Sequence, residues 1–240
     1  MQRENAEVHM ILRDFSAADM EIEPPAGFSL RQGGRPEEWA SIQAAAEPFL
    51  KIALAGDHEG AYEHEFEPGK GNLPGDVARE EALRFQFFLV DESTGQAVGT
   101  GTAWRTRWHT QYREMMNKLC VDSAEDEIVD VAADGLVHWI ALRPEYHGRG
   151  LSKCIVSRVL RSLAREMGCE TATLGTSSGR LQAIPLYFCF GFRPLAGFSP
   201  EDRQAWRKIR QRATDASESG DERARRGSRL VAAALADLLV

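Results

Sequence analysis

The feature that most constrains the fold is an apolar strand that leads, through a glycine-containing loop, directly into an amphipathic helix. Residues Leu136 to Leu142 are apolar except for His138, which is typical of a largely buried strand. From Leu151 to Met167 an apolar residue recurs at every fourth position, and Gly168 follows as a helix stop. The recurring residues are Leu151, Ile155, Val159, Leu163 and Met167. The pattern therefore predicts a β-loop-α unit.

The connecting loop, His147 to Lys153, has the composition of an anion-binding site. The first amides of a helix lack partners within the helix and lie at the positive end of its dipole, so they attract anions. Gly148 and Gly150 lack the Cβ atoms that would block a phosphate, and both can adopt positive φ angles. Arg149 adds positive charge at the rim, as does Lys153. Taken alone, a pair of glycines after a strand more often marks a simple turn.

Two common phosphate-binding loops do not fit this segment. A dinucleotide fingerprint requires a third glycine at the position of Lys153, and a Walker loop requires Gly-Lys-Ser/Thr. Neither pattern is present, so the loop indicates neither of these nucleotide sites.

Strands and helices alternate on both sides of the unit. Phe85 to Val90 and Ala97 to Trp104 are β-rich runs separated by a turn cluster, which predicts a hairpin. Residues 47–78 predict one or two helices with loops. Further elements are a strand at Phe28–Arg31, a helix at Pro36–Ala46, a strand at Thr171–Gly175, a helix at Leu181–Phe190 and a last strand from Phe192. This order predicts a three-layer α/β or α+β domain over residues 27–198, preceded by an extension at 1–26.

The composition changes in the C-terminal extension, residues 199–240. Glu201 to Arg212 has the pattern of a charged amphipathic helix, and Thr214 to Ser228 that of a mobile polar linker. Leu230 to Val240 predicts an apolar helix of about three turns. So short a helix needs a surface to cover, either its own domain or a second subunit. Because the linker would permit exchange between subunits, we predict a homodimer.

Two segments resemble the GNAT N-acetyltransferases. The first reads Trp-Ile-Ala-Leu-Arg-Pro-Glu-Tyr-His-Gly-Arg-Gly-Leu from Trp139 to Leu151 and is similar to the family's acetyl-CoA-binding core, Gln/Arg-x-x-Gly-x-Gly/Ala after a strand and a proline. The second, Ala-Ile-Pro-Leu-Tyr-Phe-Cys-Phe-Gly-Phe from Ala183 to Phe192, resembles the family's Ala-x-x-Leu-Tyr-x-x-x-Gly-Phe signature. The resemblance is firm over residues 136–195, looser over 28–104 and absent beyond about 213.

The resemblance implies an α+β fold, in which a mixed, mostly antiparallel central sheet is flanked by helices, and it implies a cofactor. In the family the strand backbone pairs with the pantetheine arm of acetyl-CoA or another acyl-CoA, and the loop amides hold the pyrophosphate. Carried over to this sequence, the cofactor-binding residues are Ile140, Ala141, Leu142, His147, Gly148, Arg149, Gly150, Leu151, Ser152 and Lys153. Tyr187 is implied to lie near the sulfur.

This sequence departs from the family pattern at three positions. His147 stands where Gln or Arg is usual, and Ser152 where Gly or Ala is usual. Both changes are mild because main-chain amides grip the phosphate. Arg180 occupies a position where the family often has Asn, which affects the alignment of the 181–190 helix with the thiol end of the cofactor.

Two side chains are candidates for catalysis. The resemblance implies that Tyr187 is the general acid that protonates the departing thiolate, although an apolar-flanked tyrosine can equally be a core residue. His138 interrupts an apolar strand, on the same face as Leu136 and Ile140. Its imidazole is either a satisfied core histidine or the base that takes a proton from an acceptor amine, directly or through water. Leu136 stands where the family's usual strand carboxylate would lie.

The predicted function is therefore acetyl-CoA-dependent transfer of an acyl group to a primary amine, without a covalent intermediate. The acceptor is a small-molecule or peptide amine. The alternative is a module that binds acyl-CoA as an allosteric or structural ligand without turnover.

Other features carry less chemical information. The histidine spacing does not indicate a metal site, and the net charge of −7 argues against nucleic-acid binding. The N-terminal sequence lacks a signal-peptide pattern and no apolar run approaches ~18 residues, so we expect a cytoplasmic protein without a membrane span. Acids in the 105–134 segment favour a solvated loop over a cationic-substrate site; they are Glu125, Asp126, Glu127 and Asp130. Aromatic residues that would wall such a site are Trp104, Trp108, His109 and Tyr112.

Overall fold

A mixed β-sheet forms the centre of the protein. The computed structural model describes residues 6–46, 58–114, 135–178, 180, 183–195, 200–218 and 222–236. Its strands are β1 (Glu7–Leu12), β2 (Phe28–Gln32), β3 (Gln86–Asp91), β4 (Gln96–Arg105), β5 (Gly135–Leu142), β6 (Ala172–Ser177) and β7 (Arg193–Pro194). Within the described residues these seven strands lie in the order β2-β3-β4-β5-β6-β1-β7. Neighbours are antiparallel, except that β5 and β6 are parallel.

Helices cover both faces of the sheet. They are α1 (Pro36–Ala46), α2 (His58–Phe66), α3 (Arg79–Leu83), α4 (Leu151–Arg161), α5 (Ile184–Cys189), α6 (Pro200–Glu218) and α7 (Glu222–Ala234). Residues 110–114 are helical as well. Among the helices described, none combines the length and the apolar character that crossing a bilayer requires.

Two residues of β4 show that α4 and α2 pack on opposite faces of the sheet. A Cβ added at Gly101 would lie 2.6 Å from both Ile140 and Ile155, so this glycine allows α4 to pack closely against the sheet. Trp104, three positions further on, points the other way and meets Phe66 of α2 edge-to-face at 5.4 Å. The helix-sheet-helix arrangement confirms the predicted α+β class.

The β-loop-α prediction is confirmed, and so is the β3–β4 hairpin. The α-helix proper ends at Arg161 and continues as a π-helical turn, Ser162–Glu166, before Gly168 adopts a φ of 65°. All five residues of the predicted stripe are buried: Leu151, Ile155, Val159, Leu163 and Met167.

A β-bulge in β5 corrects one expectation about His138. Thr100 of β4 pairs with Ala141 while Thr102 pairs with His138, so the two residues Trp139 and Ile140 oppose a single position. Trp139 has a φ of 50°, a left-handed conformation that costs a non-glycine residue about 1–3 kcal/mol. The extra residue turns Ile140 to the α4 face, whereas His138 remains on the α2 face. The prediction that the two share a face was therefore wrong.

The C-terminal extension differs from the prediction. Instead of a linker over residues 214–228, α6 continues to Glu218 and α7 begins at Glu222. Trp206 and Ile209 of α6 are fully buried, and a few such residues suffice to fix a helix whose other positions are polar. The polar composition that predicted a linker therefore belongs to the solvent-exposed faces of α6 and α7.

The end of α7 packs on the chain's own domain. Val231 and Leu235 are buried in the main core, and Gly227 lies close to Pro185 at the start of α5. Leu230, the first residue of the predicted apolar helix, is 38% exposed. Residues 237–240 of the predicted apolar helix lie outside the described residues.

Candidate active site

The loop before α4 has the backbone geometry of an anion-binding turn. Gly148 and Gly150 have φ angles of 92° and 80°, which side chains with a Cβ rarely adopt. Gly150 is the N-cap of α4, and a Cβ built on it would meet no atom within 4 Å, so the space in front of the helix is open. The amides of Leu151 and Ser152 open the helix and have no partner within it. The Lys153 amide donates to the Gly150 carbonyl at 2.9 Å, which directs that donor into the turn.

Side chains of the loop brace it against the sheet. The Nε2–H of His147 donates to the Leu142 carbonyl at 2.9 Å, so this ring ties the loop to the end of β5. The Tyr146 hydroxyl donates to Asp91 at 3.0 Å, and the Arg149 guanidinium lies over the Tyr146 ring at 5.1 Å. These contacts hold the loop in one conformation.

After Leu136, β5 separates from its neighbour β6. The two strands pair only at Gly135–Ala172 and Leu136–Thr173, and β6 continues alongside β1. Within the described residues, the segment Ile140–Leu142 therefore has a strand partner on its β4 side alone. Its other edge resembles the open edge of a sheet, to which an extended ligand can add as a strand.

His138 lies in a cluster with two other titratable side chains. Its ring stacks on Trp104 at 4.7 Å between centroids and meets the His109 ring edge-on at 4.9 Å. Its Nε2 is 3.5 Å from Oε2 of Glu65, a charge contact longer than a good hydrogen bond. Three elements thus converge: α2, the segment after β4, and β5.

Glu65 is an ionised carboxylate inside the fold. The Asn72 amide donates to its two oxygens at 2.9 and 3.0 Å, and the Trp139 indole N–H donates to Oε2 at 3.1 Å. Burial opposes ionisation, but the interactions with His138, Asn72 and Trp139 outweigh it and lower the pKa of Glu65 to about 2. The carboxylate is therefore negative at neutral pH.

His109 is held neutral. The Tyr112 amide donates to its Nδ1 at 3.1 Å, so the ring proton of the neutral form is on Nε2. Burial, and then repulsion from a charged His138, lower the pKa of His109 to about 3. At neutral pH the cluster combines one carboxylate, one neutral imidazole and His138.

The three groups could also be considered as metal ligands, since their ligand atoms lie within 4.8 Å of one another. The histidine spacing in the sequence had not indicated this convergence. Both oxygens of Glu65 accept from Asn72, however, and Nδ1 of His109 is an acceptor, which leaves the opposite nitrogen protonated. The arrangement suits proton handling better than metal coordination.

Tyr187 lies in the main core. It belongs to α5, is 5% exposed and meets Phe192 at 5.9 Å between ring centroids. The Arg180 carbonyl accepts from the amides of Ala183 and Ile184.

Of the residues expected to wall a substrate site, Trp104 and His109 contact His138. Trp108 and Tyr112 are buried in the main core. The acids of the 105–134 segment lie outside the described residues. Glu65 was not predicted, because its partner Trp139 is 74 positions away and the 47–78 segment has no pattern that marks a functional glutamate.

Comparison with known proteins gives a family match. A model of the Acetyltransferase (GNAT) family matches residues 54–192, more than half of the chain. A comparison with curated proteins finds no match.

Solved structures with a similar fold include a tandem GNAT protein from the clavulanic acid biosynthesis pathway. It is 15% identical with a TM-score of 0.47, over 78% of this chain and 50% of that one. A GCN5-related N-acetyltransferase from Sphaerobacter thermophilus is 14% identical, with a TM-score of 0.41 over 79% and 48% of the two chains. One from Kribbella flavida is 14% identical, with a TM-score of 0.44 over 79% and 56%. The chain spans about half the length of these structures.

Proposed function

The chain belongs to the GNAT acetyltransferase family, and we propose that it transfers an acyl group from acetyl-CoA, or another acyl-CoA, to a primary amine. The observation that carries this proposal is the continuous path from the open edge of β5 to the left-handed pair Gly148 and Gly150. An extended pantetheine arm fits the edge at Ile140–Leu142. A pyrophosphate fits the open space before α4, where a Cβ at Gly150 would meet no neighbour.

Each part of the cofactor has its own partners in this proposal. Backbone groups of Ile140, Ala141 and Leu142 pair with the pantetheine. Amides from Gly148 to Ser152 bind the pyrophosphate, with Arg149 and Lys153 contributing charge at the rim. His147 supports the loop through its bond to Leu142.

In the proposed transfer, His138 is the base and Tyr187 is the acid. The thioester supplies an activated acyl group. His138 takes a proton from the acceptor ammonium, directly or through one water, and the freed amine attacks the carbonyl carbon. A main-chain amide of β5 donates to the carbonyl oxygen as negative charge develops there. When the carbon–sulfur bond breaks, Tyr187 donates its hydroxyl proton to the sulfur. The nitrogen loses its second proton to water as the amide forms, and that proton restores the Tyr187 hydroxyl.

Two measurements test the proposal. Calorimetry with acetyl-CoA should detect binding, and a panel of small amines and peptides with free amino groups should then release free thiol. Binding without amine-dependent thiol release would favour the alternative, a module that keeps acyl-CoA as an allosteric or structural ligand. A chain that does not bind acyl-CoA would contradict both functions.

A further inference from the structure

Glu65 has no role in the transfer described above, although it lies beside its base. Its side chain is 11% exposed and ionised. Asn72 donates to both oxygens, and Trp139 donates to one of them. A carboxylate occupied in this way is a poor acceptor for a substrate proton and a poor site for a substrate ammonium. Its partners therefore indicate what it does.

Trp139 is the strained residue of the β5 bulge. Its φ of 50° lies in the left-handed region, and two hydrogen bonds join it to side chains of α1 and α2. The indole N–H donates to Glu65 at 3.1 Å, and the Gln43 amide donates to the Trp139 carbonyl at 3.3 Å. The ring also packs edge-on against Trp39 at 5.2 Å.

The bulge decides where the site residues point. Without the extra residue, His138 and Ile140 would share a face of the sheet; with it, His138 faces α2 while Ile140 faces α4. Glu65 contacts both Trp139 in the bulge and His138 directly before it, since Oε2 accepts from the Trp139 indole and lies 3.5 Å from Nε2 of His138.

We infer that Glu65 is a positioning residue, which fixes the Trp139 bulge and holds the His138 imidazole in the orientation that accepts the amine proton. This inference rests on the proposed function. When His138 becomes charged during transfer, the Glu65 carboxylate is the negative group beside it, while His109 on its other side remains neutral.

Two variants of Glu65 distinguish the role of its charge from the role of its hydrogen bond to Trp139. Glu65→Gln keeps an oxygen for the Trp139 indole and removes the charge, whereas Glu65→Ala removes both. We expect Glu65→Gln to lower kcat by about 10-fold and Glu65→Ala by about 100-fold, part of the 10²–10⁴ that general acid–base catalysis contributes. The affinity for acetyl-CoA and the KM for the amine should change less than about 3-fold.

The same helix provides a matched control. Glu63 is half exposed and pairs with Lys70 at the surface at 3.1 Å, so Glu63→Gln removes an equal charge from α2 without touching the cluster. Its kcat should remain at the wild-type value. Equal losses in Glu63→Gln and Glu65→Gln, or wild-type kcat in Glu65→Ala, would overturn the inference.

An NMR measurement tests the hydrogen bond between Glu65 and Trp139 independently of catalysis. The indole N–H signal of Trp139 is assigned by its loss in Trp139→Phe. It should move upfield and exchange faster with solvent in Glu65→Ala, and stay close to its wild-type position in Glu65→Gln. An unchanged signal in Glu65→Ala would overturn the inference. If the Trp139 signal changes in Glu65→Ala as expected but the wild-type protein acylates no amine, the proposed function fails while the structural role of Glu65 stands.

Discussion

At the scale of single residues, burial and neighbours assign different protonation states to similar side chains. Glu65 and His109 are both largely withdrawn from water, which favours the neutral form of each. Glu65 nevertheless remains ionised because Asn72, Trp139 and His138 stabilise the carboxylate. For His109, burial favours the neutral form, and a proton on His138 would repel a second proton on the His109 ring, so both effects lower the pKa of His109. The cluster can therefore accept a proton at His138 without first having to expel one from His109.

The lowered pKa of His109 predicts a dependence of stability on pH. An unfolded imidazole titrates near pH 6.5, and the folded one near pH 3. Between these values the unfolded chain binds a proton that the folded chain does not, so stability falls as the pH drops below about 6.5. The slope for one proton is about 1.4 kcal/mol per pH unit.

His109→Gln removes this contribution. Denaturant unfolding at pH 6.5, 6 and 5 should show that the unfolding free energy declines less steeply in the variant than in the wild type. The range stays above pH 5 because the carboxyl of Glu65, with its pKa lowered to about 2, adds a loss of stability in the same direction below about pH 4.5. Parallel curves would contradict the assignment of a neutral His109.

A second residue-scale prediction concerns the acid. Tyr187→Phe keeps the ring that packs on Phe192 and removes the hydroxyl. If that hydroxyl protonates the sulfur, turnover should fall by about 10²–10⁴ while acetyl-CoA affinity stays close to wild type. Steady-state kinetics combined with calorimetry measures both quantities. Unchanged turnover at neutral pH would make Tyr187 a core residue only.

At the scale of elements, the loop and the first turn of α4 act as one unit. Both glycines are left-handed, and the His147, Tyr146 and Arg149 side chains brace the turn against β5 and β3. The amides proposed to bind the pyrophosphate are thus held in place before any ligand arrives, which would reduce the entropy lost on binding.

Gly150→Glu tests this unit. The new side chain would occupy the open space in front of α4, and its carboxylate would repel a pyrophosphate. It would also strain the backbone at a φ of 80°. We expect acetyl-CoA binding to be lost in calorimetry. Gly150→Ala is the control for the strain alone and should retain more of the affinity. Wild-type affinity in Gly150→Glu would mean that the pyrophosphate lies elsewhere.

At the scale of the whole molecule, the C-terminal helices belong to the domain. Val231 of α7 and Leu235, which directly follows this helix, lie in the same core as β1 and α5, and Trp206 of α6 is fully buried. Fully burying a large apolar side chain contributes about 1.5–3 kcal/mol, so α7 stabilises the domain by a few kcal/mol. The homodimer remains a prediction, since the described part of α7 covers its own chain.

Truncation distinguishes these roles. A chain that ends at Glu218 lacks α7 and should melt several degrees below the full chain, because the surface of α5 that it covers becomes exposed. Light scattering of both chains gives their mass. A dimer that is lost on truncation would assign α7 to an interface, whereas equal masses with equal melting temperatures would remove both roles.

The features that the sequence determined are those set by neighbours along the chain. The four-residue spacing from Leu151 to Met167 predicts α4, and the turn cluster before Gln96 predicts the β3–β4 hairpin. Gly148 and Gly150 were singled out for positive φ angles, which the structure confirms. Each depends on local backbone preference and periodicity, which can be read without knowing what packs against the element.

The tertiary structure alone decided what depends on distant partners. A bulge is visible only in the register between two strands, so the opposite orientations of His138 and Ile140 could not be inferred from an apolar run. Residues 214–218 and 222–228 of the polar segment are helical because a few buried side chains of the two helices pack on the domain. Glu65 meets Trp139 across 74 positions, and its charge is maintained by hydrogen bonds that form only when α2 lies against β5. Local pattern carries no information about such contacts, because their energy arises only when the whole chain has folded.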